Sequence, residues 1–226
     1  MGKHYKPNDK EKEIGHKLSK LQHQYLKKEI EYQGIWDIET TDFDPKRGFI
    51  VCYSFIFRNI ISGKIQQVSD YVTKDDIKKS VKRNKFHFDY RLLQSLSEKI
   101  KDCDQVIGHY STKFDMPFFR TRCLITEQPE LIPDYGDVLQ GDTWRMAKTS
   151  LKMPRNTLNN LGYYTLGHSD KTYVDMNHWM NIWFHNNQDW SSSMKYIRDH
   201  CDIDTSMTYR ALKKIEKFNT VQRTFV

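Results

Sequence analysis

Apolar and polar positions alternate over the stretch 34–41, "GIWDIETT", a period of two that predicts a β-strand. A turn follows at Asp44-Pro45 and Gly48, then a long β-rich run over 49–58, "FIVCYSFIFR". Ser62-Gly63 makes a hairpin turn into "KIQQVSDYV". Helical spacing appears over 13–31, with Leu18, Leu21, Tyr25 and Leu26 on one face, and again over 75–82 and 89–101. "DQVIGHY" at 104–110 reads as a short buried strand. A helix starts near Phe114–Pro117, where proline is tolerated in the first turn. Further helices are predicted over 142–151, over 156–165 and from about Ser192 to Phe218. The Trp-rich stretch 179–190, together with Lys171, receives no element. Strands followed by alternating helices and a strand predict an α/β chain with a central sheet.

In the first strand, two carboxylates interrupt the apolar pattern. Alternate side chains of an extended strand share a face, so Asp37 and Glu39 lie on one side while Trp36 and Ile38 lie on the other. Two anions so close repel and raise each other's pKa. Either the strand end is solvated or a cation sits between them, and a divalent metal ion is the natural candidate.

Three more stretches supply carboxylates. Asp115, in "VIGHYSTKFDMPFFRTR", falls in the first turn of a predicted helix, where the helix dipole favours an acid. In "MKYIRDHCDIDTSMTYRAL", Tyr196, His200 and Asp204 follow one helical stripe among apolar Ile197, Cys201, Ala211 and Leu212. A carboxylate buried there requires a partner. Asp199 and Asp202 compete with Asp204 for that place; Asp202 is rotated by two residues and faces elsewhere. Asp142 opens a helix, as an N-cap or as a support for the other acids.

"WDIETT", "GHYSTKFDMPFF" and "YIRDHCDIDT", in that order, resemble the three motifs of the DnaQ-like (DEDD) 3′–5′ exonucleases of the ribonuclease H-like superfamily. The likeness is greatest to YprB-like ribonuclease H-like proteins and more distant to the proofreading domains of family B DNA polymerases. It covers roughly residues 33–215, with "DTWRMAK" and "LNNLGYYTLG" as lesser cues. It implies a ribonuclease H-like fold, a central mixed β-sheet flanked by α-helices, and a domain over 33–226 behind a basic extension over 1–32, partly disordered or helical.

The same resemblance implies Asp37, Glu39, Asp115 and Asp204 as metal ligands and His200 as general base. It implies substrate contacts from Thr40, Tyr110, Lys113 and Phe114. Two positions depart from the family pattern: Tyr110 stands where an Asn is usual, and His200 stands four residues before Asp204, where relatives have Tyr four before or His five before. Hard oxygen donors without sulfur favour Mg²⁺ or Mn²⁺. Two such ions about 4 Å apart serve phosphodiester hydrolysis. His200 would take a proton from the attacking water. Phe118 and Phe119 could stack on a base or pack in the core. Lys113 and Arg120 could meet phosphate or solvent.

Charge adds a partner to this picture. Residues 1–28 carry eight lysines against three acids, and residues 74–85 carry six basic residues against two acids. Since the whole chain is +7, the remainder is −2. The tail and patch are either merely solvated or attracted to a phosphate backbone, that is, to DNA or RNA. Four scattered cysteines (52, 103, 123 and 201) form no CxxC pair, which fits a reducing compartment. The N-terminus has no apolar signal region and no apolar run suits a membrane span, so a cytoplasmic protein without membrane attachment is expected. Three activities fit: an exonuclease with single-stranded DNA favoured, a ribonuclease H-like endonuclease or structure-specific nuclease, or a non-catalytic nucleic-acid-binding module. Proofreading would then act in trans, beside a polymerase or another replication or repair partner.

Overall fold

The structure, a computed structural model, describes residues 30–83, 85–185, 188–217 and 224–225. The basic tail and nearly all of the expected 13–31 helix lie outside the described residues; positions 30 and 31 are not helical. The chain runs through β1 (Tyr32–Thr40), β2 (Ile50–Asn59), β3 (Ile65–Tyr71), α1 (Lys74–Lys82), α2 (Tyr90–Lys101) and β4 (Gln105–Gly108). It continues through α3 (Asp115–Ile125), β5 (Leu139–Asp142), α4 (Thr143–Ser150), α5 (Leu158–Leu166), α6 (Met176–Trp183), α7 (Trp190–Ile215) and β6 (Thr224–Phe225).

These strands form one mixed sheet in the order β3-β2-β1-β4-β5-β6. β1 is central, antiparallel to β2 and parallel to β4. β5 runs parallel to β4 and antiparallel to β6. The hairpin between β2 and β3 turns at Gly63, whose φ of +70° suits a residue without Cβ.

Local signals set several boundaries. Thr73 and Asp76 form a reciprocal capping box at the start of α1, a device worth about 1 kcal/mol. Asp175 caps α6 by accepting from Asn177 N. Two strands had no usable pattern. β5 is four fully buried residues, "LQGD", held by pairing with β4 rather than by propensity. β6 is two residues long.

The alternation in β1 sorts its two faces. Trp36 and Ile38 join a core cluster with Leu92, Met116, Phe118 and Phe119. Ile35 joins a second cluster with Met207, Ala211 and Leu212 of α7. Phe118 and Phe119 are therefore core residues. Asp37 and Glu39 emerge on the α7 side, at the C-terminal end of the central strand. There the pairing with β2 slips by one residue between Glu39 and Thr40, a bulge that re-aims the strand end.

Candidate active site

The site is assembled where β4 stops. The parallel pairing of β1 with β4 ends at Ile35 and Ile107, so Ile38 has no ladder partner on that side. Its N–H donates instead to Oδ1 of Asp115 at 3.2 Å, which fixes the first turn of α3 against the central strand. Gly108 makes the approach feasible: a Cβ there would lie 2.5 Å from Ser111 Cβ and 3.0 Å from the Trp36 carbonyl oxygen.

The loop between β4 and α3 hangs on one carboxylate. Asp142 accepts from Tyr110 N at 2.9 Å, Thr112 N at 3.1 Å and Thr112 Oγ1 at 2.6 Å, and caps α4 through Trp144 N at 2.8 Å. It is both an N-cap and a support for the motif. Tyr110 has φ of +67°, a left-handed conformation that costs a side chain such as Tyr and suits Asn better. The Asp142 bond holds it there, and its ring meets Trp144 edge-on at 5.3 Å.

From the other side comes α7. His200, Asp204, Asp37, Glu39 and Asp115 line a single cleft of about 340 Å³, together with Thr40, Tyr110 and Phe114. Lys113 is exposed in the turn that precedes α3 and does not line it. Asp202 points toward β3 and is hydrogen-bonded by Gln67. Asp199 pairs with Lys195 in solvent. Tyr196 donates to the Tyr173 carbonyl and stacks on His178, away from the acids. Of the three aspartates that competed in α7, Asp204 is the one in the cleft.

His200 sits among the acids, its Nε2 3.8 Å from both Glu39 Oε1 and Asp204 Oδ2. Its Nδ1 is hydrogen-bonded to Thr172 Oγ1. When that hydroxyl accepts, Nε2 keeps its lone pair toward the cleft. Burial holds the imidazole below its ordinary pKa, against the opposing pull of Asp204. The Trp179 ring meets it edge-on at 5.9 Å, and Trp179 favours the charged form of Glu39.

The electrostatics are those of crowded anions. Burial, reinforced by Asp115, Glu39 and Asp204, pushes Asp37 well above the usual carboxylate range. Burial and the Asp204 charge push Glu39 to about 8. Burial pushes Asp115 to about 7, against the backbone hydrogen bonds that favour its charge. The sequence pattern gave no hint of the cation that answers them: Lys171 Nζ contacts Asp204 Oδ2. Lys171 and Thr172 lie in an irregular segment and Trp179 in the short helix α6, so no motif marks them, and they are placed by packing against α7.

A divalent ion fits this donor set by its chemistry. All four carboxylates are hard oxygen donors, and Asp204 Oδ1 is buried with no hydrogen-bond partner. As the side chains stand, with Lys171 on Asp204, no three His, Cys, Asp or Glu groups among the described residues converge closely enough to cage an ion.

No family model matches the chain, and no curated protein matches it. Among solved structures it is similar to the family B DNA polymerase from the hyperthermophilic archaeon Pyrobaculum calidifontis, with a TM-score of 0.58 at 16% identity. The match covers 83% of this chain and 25% of the polymerase chain. The fold is thus an α/β fold of the ribonuclease H-like kind, a mixed sheet flanked by helices. Among the described residues, no helix is long and apolar enough to cross a membrane.

Proposed function

We propose that this chain is a divalent-metal-dependent 3′–5′ exonuclease that hydrolyses phosphodiester bonds of nucleic acid, with single-stranded DNA favoured. One observation carries the reading: acids from β1, the first turn of α3 and α7 meet in one cleft with a buried histidine. The structural similarity to a family B DNA polymerase, over 25% of that chain, supports it, alongside the resemblance of the three sequence motifs to the proofreading domains of such polymerases.

In this reading Asp37, Glu39, Asp115 and Asp204 hold two Mg²⁺ or Mn²⁺ ions. Bound ions supply positive charge at the attacking and leaving oxygens of the displacement. His200 Nε2 accepts the proton of the attacking water, with Thr172 fixing the ring through Nδ1. Trp179 favours the charged form of Glu39. Tyr110, Phe114 and Thr40, on the cleft wall, hold the terminal nucleotide. Lys171, once Asp204 is otherwise neutralised, is free to meet the scissile phosphate.

The test is a time course on labelled single-stranded DNA and RNA with Mg²⁺ or Mn²⁺. Stepwise shortening from the 3′ end is expected, and a blocked 3′ end should stop it. Cutting of the blocked strand would make the protein an endonuclease. Loss of one metal-holding carboxylate removes several kcal/mol of charge stabilisation. Asp37→Ala should therefore lose activity by on the order of 10³-fold. Wild-type rates in that variant overturn the site assignment. A non-catalytic binding module is the rival, favoured by Lys171 already neutralising Asp204. Calorimetric titration with Mn²⁺ separates the two, because the rival takes up no ion.

A further inference from the structure

A second cavity, of about 470 Å³, opens beside the cleft. The two share their walls. The loop after β1 gives Thr41, Asp42 and Phe43 to the cleft and Lys46 and Arg47 to the groove, and α6 gives Met176 and Trp179 to the cleft and Trp183 to the groove. Trp179 and Trp183 are one helical turn apart, about 6 Å of rise. The groove therefore continues the cleft along α6.

Its lining is five aromatic rings, three cations, a histidine and a glycine, with no carboxylate. Phe86 is 83% exposed and Phe184 is 68% exposed, which a soluble surface does not maintain without cause. Lys46 and Arg47 lie on the rim. Arg47 reaches Asp42 and Asp44 at 3.3 and 3.4 Å, exposed pairs that a phosphate can displace at little cost.

The walls are held rigid from below. Arg122, buried and paired with buried Asp89 at 2.7 Å, donates to the Pro45 carbonyl at 2.9 Å and the Phe86 carbonyl at 3.3 Å. One buried side chain thus fixes both the loop carrying Lys46 and the loop carrying Phe86. The floor is ordered too: Phe49 stacks on Trp183 with ring centroids 6.2 Å apart and planes 16° from parallel.

We propose that this groove holds the single strand upstream of the 3′ terminus, its bases against Phe86, Trp183 and Phe184 and its phosphates against Lys46 and Arg47. This rests on the nuclease reading for the direction of the strand, with the 3′ end in the cleft. Exposed rings between cations suit single strands because every base has a π-face to stack, whatever the sequence. A flat duplex surface would need no such rings.

The experiment measures binding without catalysis. Fluorescence anisotropy with 5′-labelled oligothymidylates of two and twelve nucleotides is run in EDTA on the full chain and on Phe86→Ala, Phe184→Ala and Lys46→Ala. A base–aromatic stack is worth about 1–3 kcal/mol. Each ring variant should therefore weaken the twelve-mer by about tenfold and leave the dinucleotide unchanged. Lys46→Ala should flatten the salt dependence by about 0.7 in the log–log slope, one phosphate on a single strand. Unchanged melting temperatures show that these exposed substitutions leave the fold intact.

The proposal is overturned if the wild type fails to bind the twelve-mer or if the ring variants bind it as the wild type does. A wild-type dimer that the ring variants split, with oligonucleotide affinity unchanged, also overturns it and makes the groove a contact between copies. Failure of the nuclease reading has a different signature: no hydrolysis with Mg²⁺ or Mn²⁺ while ring-dependent binding in EDTA persists.

Discussion

The ammonium of Lys171 rests on Oδ2 of Asp204, while Oδ1 of the same carboxylate is buried and accepts no hydrogen bond. Asp204 is therefore half-neutralised and half-open. Without Lys171 the cluster of acids loses its nearest cation. Lys171→Ala should destabilise the metal-free protein by roughly 1.5–3 kcal/mol, the range for a hydrogen bond to a charged group. Mn²⁺ should then raise its melting temperature more than that of the wild type, because the ion meets no competing ammonium. Thermal denaturation with chelator and with Mn²⁺ measures both. Identical melting of the two proteins in chelator would show that the pair carries no stability.

His200 stands 3.8 Å from two acids and is held by Thr172. As the group that takes the water's proton, it should be worth about 10²–10⁴ in kcat. His200→Ala should show that loss with Mn²⁺ affinity nearly intact, as read by calorimetry. Near-wild-type turnover in His200→Ala would remove it from the mechanism.

Asp142 gathers three backbone N–H groups and a hydroxyl around the turn that carries Tyr110. Asp142→Ala leaves those donors unpaired and uncaps α4. It should cost roughly 2–4 kcal/mol in urea denaturation. Asp142→Asn, which keeps an acceptor, should cost clearly less. Equal stability of the two variants would show that the side chain's hydrogen bonds do not hold the turn.

His109, on the wall of the same cleft, supplies a second pH signature. Its ring nitrogens are hydrogen-bonded to Thr143 Oγ1 and the Asn156 carbonyl, each at 3.0 Å, and burial pushes its pKa to about 4. An unfolded histidine takes its proton near pH 6.5. Between pH 6.5 and 4 the unfolded chain therefore binds more protons, so this contribution to stability is present at neutral pH and lost as pH falls through that window. The stability difference between wild type and His109→Gln should narrow from pH 7 to pH 4.5. A constant difference across that range would mean the imidazole is not kept neutral by the fold.

Much of this architecture is written locally. The alternation of "GIWDIETT" assigned the faces of β1, because a strand's side-chain period is fixed by its backbone. The helical stripe of Tyr196, His200 and Asp204 predicted α7, and turn residues marked the β2–β3 hairpin. The helix starts at Lys74 and Thr143 follow from side chains that cap their own backbone a few residues on.

Tertiary structure decided the rest, and in each case the deciding contact is distant in sequence. β5 has no pattern of its own and exists because β4 offers it a parallel edge. Among Asp199, Asp202 and Asp204, helical rotation narrows the choice, but only the seating of α7 against β1 places Asp204 in the cleft. Lys171 and Trp179 carry no motif; they reach Asp204 and Glu39 through the docking of an irregular segment and α6 against α7. Periodicity records how a segment meets its own backbone and one buried face. It does not record which cation answers a buried anion 33 residues away, because that is settled by the packing of whole elements.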